Sequence, residues 1–267
     1  MAKPSLKRRR KDEAFTSGTG EVLPFPVRPK RLKRDKAAAT EESAAHPRPK
    51  KEWSCITPAQ KRYKQKILSN TITFGIGPAG TGKSFVAAMI AAGLLEDRLI
   101  DRIIVTRPAV SDEDYGALPG DLSDKIAPWF APIQDILIEY FGASHLENLI
   151  RLKKVIFVPM GHLRGNTFKN AFILLDEAQN TKPKQLKTLL TRLGVGSRLV
   201  VDGDLDQADV PGKNGLEDAM ARLRKIDDIA FAHFKTDDIV RHELIKAILK
   251  AYSTQDAAAV ETETAEE

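Results

Sequence analysis

A single cysteine, Cys55, excludes an intramolecular disulfide and any cysteine-built zinc or iron–sulfur cluster within one chain. It reads as an ordinary thiol of a reducing compartment, and the expected location is cytoplasmic. The five histidines are scattered, with none at metal-ligand spacing on a shared helix face. No run of about 18 or more apolar residues occurs, and the amino terminus MAKPSLKRRRK lacks an apolar centre, so we expect neither a membrane span nor a secretory signal. No internal repeat is visible. What is present is a globular balance over 267 residues, 42% hydrophobic and 29% charged, which sets aside collagen-like, coiled-coil and wholly disordered chains.

The charge is unevenly spread. Residues 1–51 carry 15 Lys/Arg against 6 Asp/Glu, whereas residues 52–250 carry 27 against 25 and residues 251–267 none against 5. We therefore expect a disordered basic arm over 1–52, a folded domain over 53–252 and an acidic disordered tail over 253–267. The clusters KRRRK at 7–11 and RPKRLKR at 28–34 suit either a non-specific grip on nucleic-acid phosphates or a solubility tail.

Between the tails, short apolar runs alternate with helical patterns. Runs at 72–76, 103–106, 155–158, 171–175, 199–201 and 229–231 have the continuous apolar character of strands buried on both faces of a parallel sheet. Helical patterns fall at 58–68, 83–95, 128–141, 183–193, 216–223 and 238–251. The predicted fold is a three-layer α/β core with a mainly parallel sheet.

Three strand ends carry chemistry. Gly77-Pro78-Ala79-Gly80-Thr81-Gly82-Lys83-Ser84 satisfies G-x-x-x-x-G-K-[ST] after a predicted strand and at the start of a predicted helix. Its glycines let backbone N–H groups turn inward around phosphates, Lys83 reaches the β- and γ-phosphates, Ser84 can ligate Mg²⁺, and the helix adds its positive end. The run Ala171-Phe-Ile-Leu-Leu then delivers Asp176 and Glu177, the first suited to a Mg²⁺ shell and the second to polarising an attacking water. A third strand end reads Asp202-Gly203-Asp204-Leu205-Asp206-Gln207, where the Gln207 amide can sense the γ-phosphate or the attacking water. Arg241, at the opening of the last helical pattern, is either a surface charge or a transition-state finger. The absence of an Asn-Lys-x-Asp motif argues against guanine.

Taken together these segments resemble the PhoH family of phosphate-starvation-inducible proteins, predicted ATPases related to superfamily 1 helicases. The resemblance lies in ITFGIGPAGTGKS (72–84), VTRPAV (105–110), GALPGDLSDKIAPW (116–129), GHLRGNTFKNAFILLDEAQN (161–180), LTRLGVGSRLVVDGDLDQAD (190–209) and DIVRHELI (238–245). It implies a RecA-like P-loop NTPase core that binds ATP and Mg²⁺. It also implies that Arg241 acts as an arginine finger and that Gln60, before the first strand, resembles an adenine-reading glutamine; the alternative for Gln60 is a solvated helix-start residue. Thr106-Arg107-Pro108 resembles a helicase segment that touches the nucleic-acid backbone, while pairing of Arg107 with Asp112, Glu113 or Asp114 is the other reading. Asn166 stands where bacterial relatives often have a second arginine, and the basic arm replaces the amino-terminal domain of larger members.

From Ile72 to Tyr252 there are 181 residues, enough for one RecA-like core with an insertion and not for two. A finger at Arg241 must therefore fold back on its own site or come from a neighbouring subunit, and the second option implies a homo-oligomer such as a hexameric ring. The stretch 108–151 is a subunit contact, a strand-binding insertion or a cover for the sheet. The function expected is a Mg²⁺-dependent ATPase coupled to RNA or single-stranded DNA. The alternatives are a nucleotide-gated scaffold with little turnover and, less favoured, a kinase.

Overall fold

The computed structural model describes residues 52–108, 122–163, 165, 167–209, 212–240 and 248, with backbone only for 122–126. The basic arm, the acidic tail, Asp112, Glu113 and Asp114, Arg164, Asn166, Arg241 and nearly all of the helix expected over 238–251 lie outside the described residues.

Helix α1 (Pro58–Ser69) starts where local chemistry dictates. Thr57 is the N-cap, Pro58 fills the first turn without wasting an N–H, and Gln60 closes a capping box. Its Ala59, Tyr63 and Ile67 recur every four residues and are buried. Strand β1 (Ile72–Ile76) feeds α2 (Lys83–Glu96), an Ala-rich helix buried along most of its length. There follow β2 (Arg102–Arg107), α3 (Leu122–Phe141), α4 (Ala143–Arg151), β3 (Val155–Pro159), β4 (Ala171–Leu175), α5 (Pro183–Leu190), β5 (Arg198–Gly203), α6 (Gly215–Leu223) and β6 (Ile229–His233).

The six strands form one parallel sheet in the order β3-β2-β4-β5-β1-β6. One face packs on α1, α2, α3 and α4 through a core that includes Tyr63, Val86, Phe130, Phe157 and Phe172. The other packs on α5 and α6 through Phe74, Ile104, Ile173, Leu186, Val201 and Leu216. Apolar side chains on both faces are what a parallel sheet between two helical layers demands. Every predicted strand is present, and the α/β P-loop architecture is as expected.

The helices differ at three places. The pattern starting at 128 belongs to α3, which begins at Leu122 and runs through Pro128 and Pro132. Proline marks helix starts well, but here both rings sit inside the helix, where they open a turn instead of ending it. Helix α4 follows Gly142, whose φ of 77° turns the chain, and was not among the expected elements. The helix expected over 183–193 stops at Leu190, because residues just beyond it pair with Phe168 instead: Phe168 N–H donates to Arg192 O and Gly194 N–H to Phe168 O. Among the described residues, no helix is long and apolar enough to cross a membrane.

The strand order places β5 between the phosphate-loop strand β1 and the acidic strand β4. In the β1–β5 register Gly75 stands opposite Asp202, and a Cβ there would lie 2.4 Å from Asp202 Oδ1 and 2.7 Å from Tyr63 OH. Gly75→Ala is expected to lower stability by about 1–3 kcal/mol through overpacking, read as a shift of the urea midpoint with an unchanged slope.

Candidate nucleotide-binding and catalytic site

The loop after β1 has the backbone that phosphate binding needs. Gly80 and Gly82 adopt φ values of 81° and 83°, in the left-handed region that a side chain disfavours. Gly82 also has no room, since a Cβ would lie 2.6 Å from Gln60 Nε2. Gln60 is 4% exposed, which removes the solvated reading of that residue. Its Nε2 donates to Thr81 O at 2.9 Å and its Oε1 accepts from Ile56 N–H at 2.8 Å, so the amide braces the loop from α1. Lys83 Nζ folds onto the loop, donating to Gly77 O at 2.6 Å and Pro78 O at 2.9 Å. Burial lowers the Lys83 pKa, against the opposing pull of Asp202, Asp204, Asp176 and Glu177.

Asp176 leaves the end of β4 with both oxygens engaged. Ser84 Oγ donates to Oδ1 at 2.9 Å, and Arg107 Nε donates to Oδ2 at 2.9 Å with Nη2 on the same oxygen. Arg107 Nη1 reaches the Trp129 carbonyl on α3. Asp176 is thus a side-chain partner of Arg107 that no local sequence pattern announces.

Glu177 adopts φ 56° and ψ 42°, left-handed for a non-glycine residue, and is exposed on the rim. Its Oε2 accepts from Gln179 Nε2 at 2.7 Å. The same buried Gln179 accepts the Asp204 N–H at 3.1 Å and donates to Gln207 O at 3.4 Å, joining the β4 and β5 ends. Asn180 repeats the device one residue later, accepting the Asp209 N–H at 2.9 Å. Asp204 in turn accepts from the loop N–H of Ala79 at 3.2 Å, and burial is the main reason its carboxyl pKa is raised.

Asp202, fully enclosed beneath the loop, accepts from Tyr63 OH, and its other oxygen has no hydrogen-bond partner. Burial pushes its pKa from an ordinary 3.8 to about 8, opposed by the Tyr63 bond and reinforced by Asp176. Tyr63 is driven upward as well, first by burial and then by Asp202.

A cleft of about 310 Å³ brings Lys83, Ser84, Asp176, Glu177 and Gln207 together, with Ile133 and Ile136 of α3 among the apolar lining. The Ser84 hydroxyl and the Asp176 carboxylate, a hydrogen bond apart, are the hard oxygen donors that Mg²⁺ prefers, so the residues fit the ion that the phosphate loop implies. Among the described residues, no group of three or more His, Cys, Asp or Glu could hold a metal ion. Gln179, Asn180, Tyr63 and Asp202 were missed in the sequence. For the first two a signal existed: two adjacent amides one residue beyond two adjacent carboxylates at a strand end. For Tyr63 and Asp202, far apart in the chain, there was none.

A parallel three-layer fold with this loop and these strand ends is that of a P-loop NTPase. The sequence model of the PhoH family, described as PhoH-like protein, matches residues 53–253. The chain belongs to that family. It is 43% identical to a PhoH-like protein of Synechocystis sp. over 200 residues, covering 74% of this chain and 61% of that one. It is 42% identical to a PhoH-like protein of Bacillus subtilis (75% and 64% covered) and 42% identical to Protein PhoH of Escherichia coli (73% and 56%). The chain therefore spans less than two thirds of these relatives' length. Among solved structures, the Sulfolobus solfataricus SWI2/SNF2 ATPase core in complex with dsDNA aligns with a TM-score of 0.37 at 15% identity, covering 56% of this chain and 32% of that one, a likeness too slight to bear on function.

Gln179→Leu removes the acceptor of a buried N–H, so an expected loss of about 1–3 kcal/mol should appear in denaturant unfolding. Asp202 yields a pH test. Because its folded pKa lies above the unfolded value, the folded protein holds a proton between about pH 4 and 8 that the unfolded chain has lost. Stability should therefore fall as pH rises through that window, and Asp202→Asn should flatten the fall in melting temperature.

Proposed function

We propose that the protein is a Mg²⁺-dependent ATPase that acts as a homo-oligomer on RNA or single-stranded DNA. The observation that carries this reading is the grouping at one cleft of Lys83, the Ser84–Asp176 pair 2.9 Å apart and a Glu177 carboxylate held by Gln179. ATP would lay its phosphates along the 77–84 backbone, where Lys83 exchanges the Gly77 and Pro78 carbonyls for phosphate oxygens. Mg²⁺ on Ser84 and Asp176 would neutralise charge on the phosphates. Glu177 would accept a proton from the attacking water, with its carboxylate aimed by Gln179. Gln207, on the same rim, would contact the γ-phosphate or that water. Gln60 would brace the loop with one Nε2 hydrogen on Thr81 O and would have the second hydrogen left to donate to adenine.

Val240 bears on Arg241. Its N–H donates to Gly80 O at 2.9 Å, so the described stretch that ends at Val240 lies against its own phosphate loop. This supports Arg241 completing its own site, although donation to a neighbouring subunit is the reading that the size arithmetic raised. Nucleic-acid coupling is supported by the charge of the arm, 15 Lys/Arg against 6 Asp/Glu over residues 1–51.

Steady-state ATP hydrolysis, with and without single-stranded RNA or DNA, tests the proposal. Lys83→Ala should abolish turnover, Glu177→Gln should cut it roughly 10²–10⁴-fold, and loss of Arg241 should cost roughly 10³–10⁵-fold. Mixing Lys83→Ala with Arg241→Ala subunits restores activity only if the arginine acts across a subunit boundary. Oligomers that depend on ATP binding and are unaffected by Glu177→Gln, with no stimulation of turnover by nucleic acid, would instead indicate a nucleotide-gated scaffold, and phosphate recovered on an acceptor would indicate a kinase.

A further inference from the structure

We infer that Arg107 is a cation latch on Asp176: its guanidinium holds the carboxylate that the metal needs and ties that carboxylate to α3 until the metal displaces it. The inference rests on the reading of Ser84 and Asp176 as the Mg²⁺ seat, and adds a residue that opposes the ion and reports its arrival.

The sheet makes the latch possible. Strands β2 and β4 are parallel neighbours with Thr106 opposite Leu175, and Asp176 N–H donates to Thr106 O at 3.0 Å, so Arg107 and Asp176 leave adjacent strand ends side by side. Two guanidinium nitrogens, Nε and Nη2, converge on Asp176 Oδ2, while Ser84 takes Oδ1. The third, Nη1, donates to the Trp129 carbonyl. Side-chain exposure is 17% for Arg107 and 8% for Asp176, so water screens the pair only weakly.

Only arginine can span both partners, since its planar fork offers donors in fixed directions and a lysine ammonium is a single point. The carbonyl it reaches lies on a turn of α3 already loosened by proline. Pro132 brings no N–H to the Pro128 carbonyl, one residue before Trp129, and its ring crowds that carbonyl. Helix α3 also contributes Ile133 and Ile136 to the cleft wall and packs along α2. The carboxylate that would receive Mg²⁺ is thus wired by one side chain to the helix lining the opposite wall.

Electrostatics sets the direction. A divalent cation on Asp176 would stand within a few ångströms of a guanidinium on the same carboxylate, and in a half-buried site that repulsion is not negligible. The metal therefore weakens the Arg107–Asp176 pair and frees Arg107 from its bridge to Trp129. The reciprocal also holds: while the bridge stands, it lowers the affinity of the site for the ion.

The test uses the full chain and Mn²⁺ as the probe, bound metal being counted by electron paramagnetic resonance. Arg107→Gln, which removes the charge and keeps a donor, should bind Mn²⁺ roughly tenfold more tightly than the wild type. The second readout is fluorescence in a Trp53→Phe background, where Trp129 is the sole tryptophan, because the sequence has two. There Mn²⁺ should shift the Trp129 emission with Arg107 present, and should leave it unmoved in both Arg107→Gln and Arg107→Lys. The lysine variant keeps the charge, so it also serves if the glutamine variant folds poorly. Equal or weaker Mn²⁺ binding by Arg107→Gln would overturn the latch and leave the metal seat standing, with Arg107 merely orienting Asp176. Undiminished Mn²⁺ binding by Asp176→Asn would remove the metal seat itself, and the latch with it.

Discussion

Buried carboxylates at the ends of two neighbouring parallel strands are the constraint around which this site is organised. Asp176 just after β4, Asp202 on β5 and Asp204 just after it all lie below 10% exposure, and each needs donors in a place that water reaches poorly. The fold supplies them from different elements. Ser84 comes from α2, Arg107 from β2, Tyr63 from α1, and the Ala79 N–H from the phosphate loop itself. Binding a phosphate chain and its cation would redistribute these donors, which were all committed beforehand. The protein therefore carries a site whose parts already hold one another.

That mutual holding explains the role of residues with no direct chemistry. Gln179 and Asn180 use side-chain amides to do what a strand ladder does elsewhere, fastening the segment after β5 to the end of β4. A glutamine suits the position because one amide both donates to Glu177 and accepts from Asp204 N–H. Gln60 plays the same part on the other side, linking the start of α1 to the phosphate loop. The loop is thus held by the Gln60 amide on one side and on the other by the Asp204 carboxylate, and the left-handed turn at Gly82 leaves the space that Gln60 fills.

Much of this was legible in the sequence, and the reason is locality. Six apolar runs became six parallel strands, because burial on both faces imposes a continuous apolar pattern and runs this short suit strands better than helices. The phosphate loop, Asp176, Glu177 and Gln207 each sit within a few residues of a strand end, so their convergence followed once the strands were taken as parallel. Helix boundaries were less legible. Pro128 reads as a helix start, yet α3 runs through it, since packing on α2 outweighs the hydrogen bond it removes. The helix expected to reach 193 ends at Leu190, because Phe168 recruits the following residues by pairing that no local pattern announces.

By itself, then, the sequence determined the six strands, the phosphate loop and which polar side chains stand at the strand ends, because each depends on residues close together in the chain. Tertiary structure alone decided the strand order, and with it that β5 lies between the loop and the acidic strand. It also decided who pairs with whom: Arg107 with Asp176 across 69 positions and Tyr63 with Asp202 across 139. Apolar periodicity says that a strand is buried and is silent on which strand lies beside it. The charges that face each other follow from that neighbour relation, and only the folded sheet supplies it.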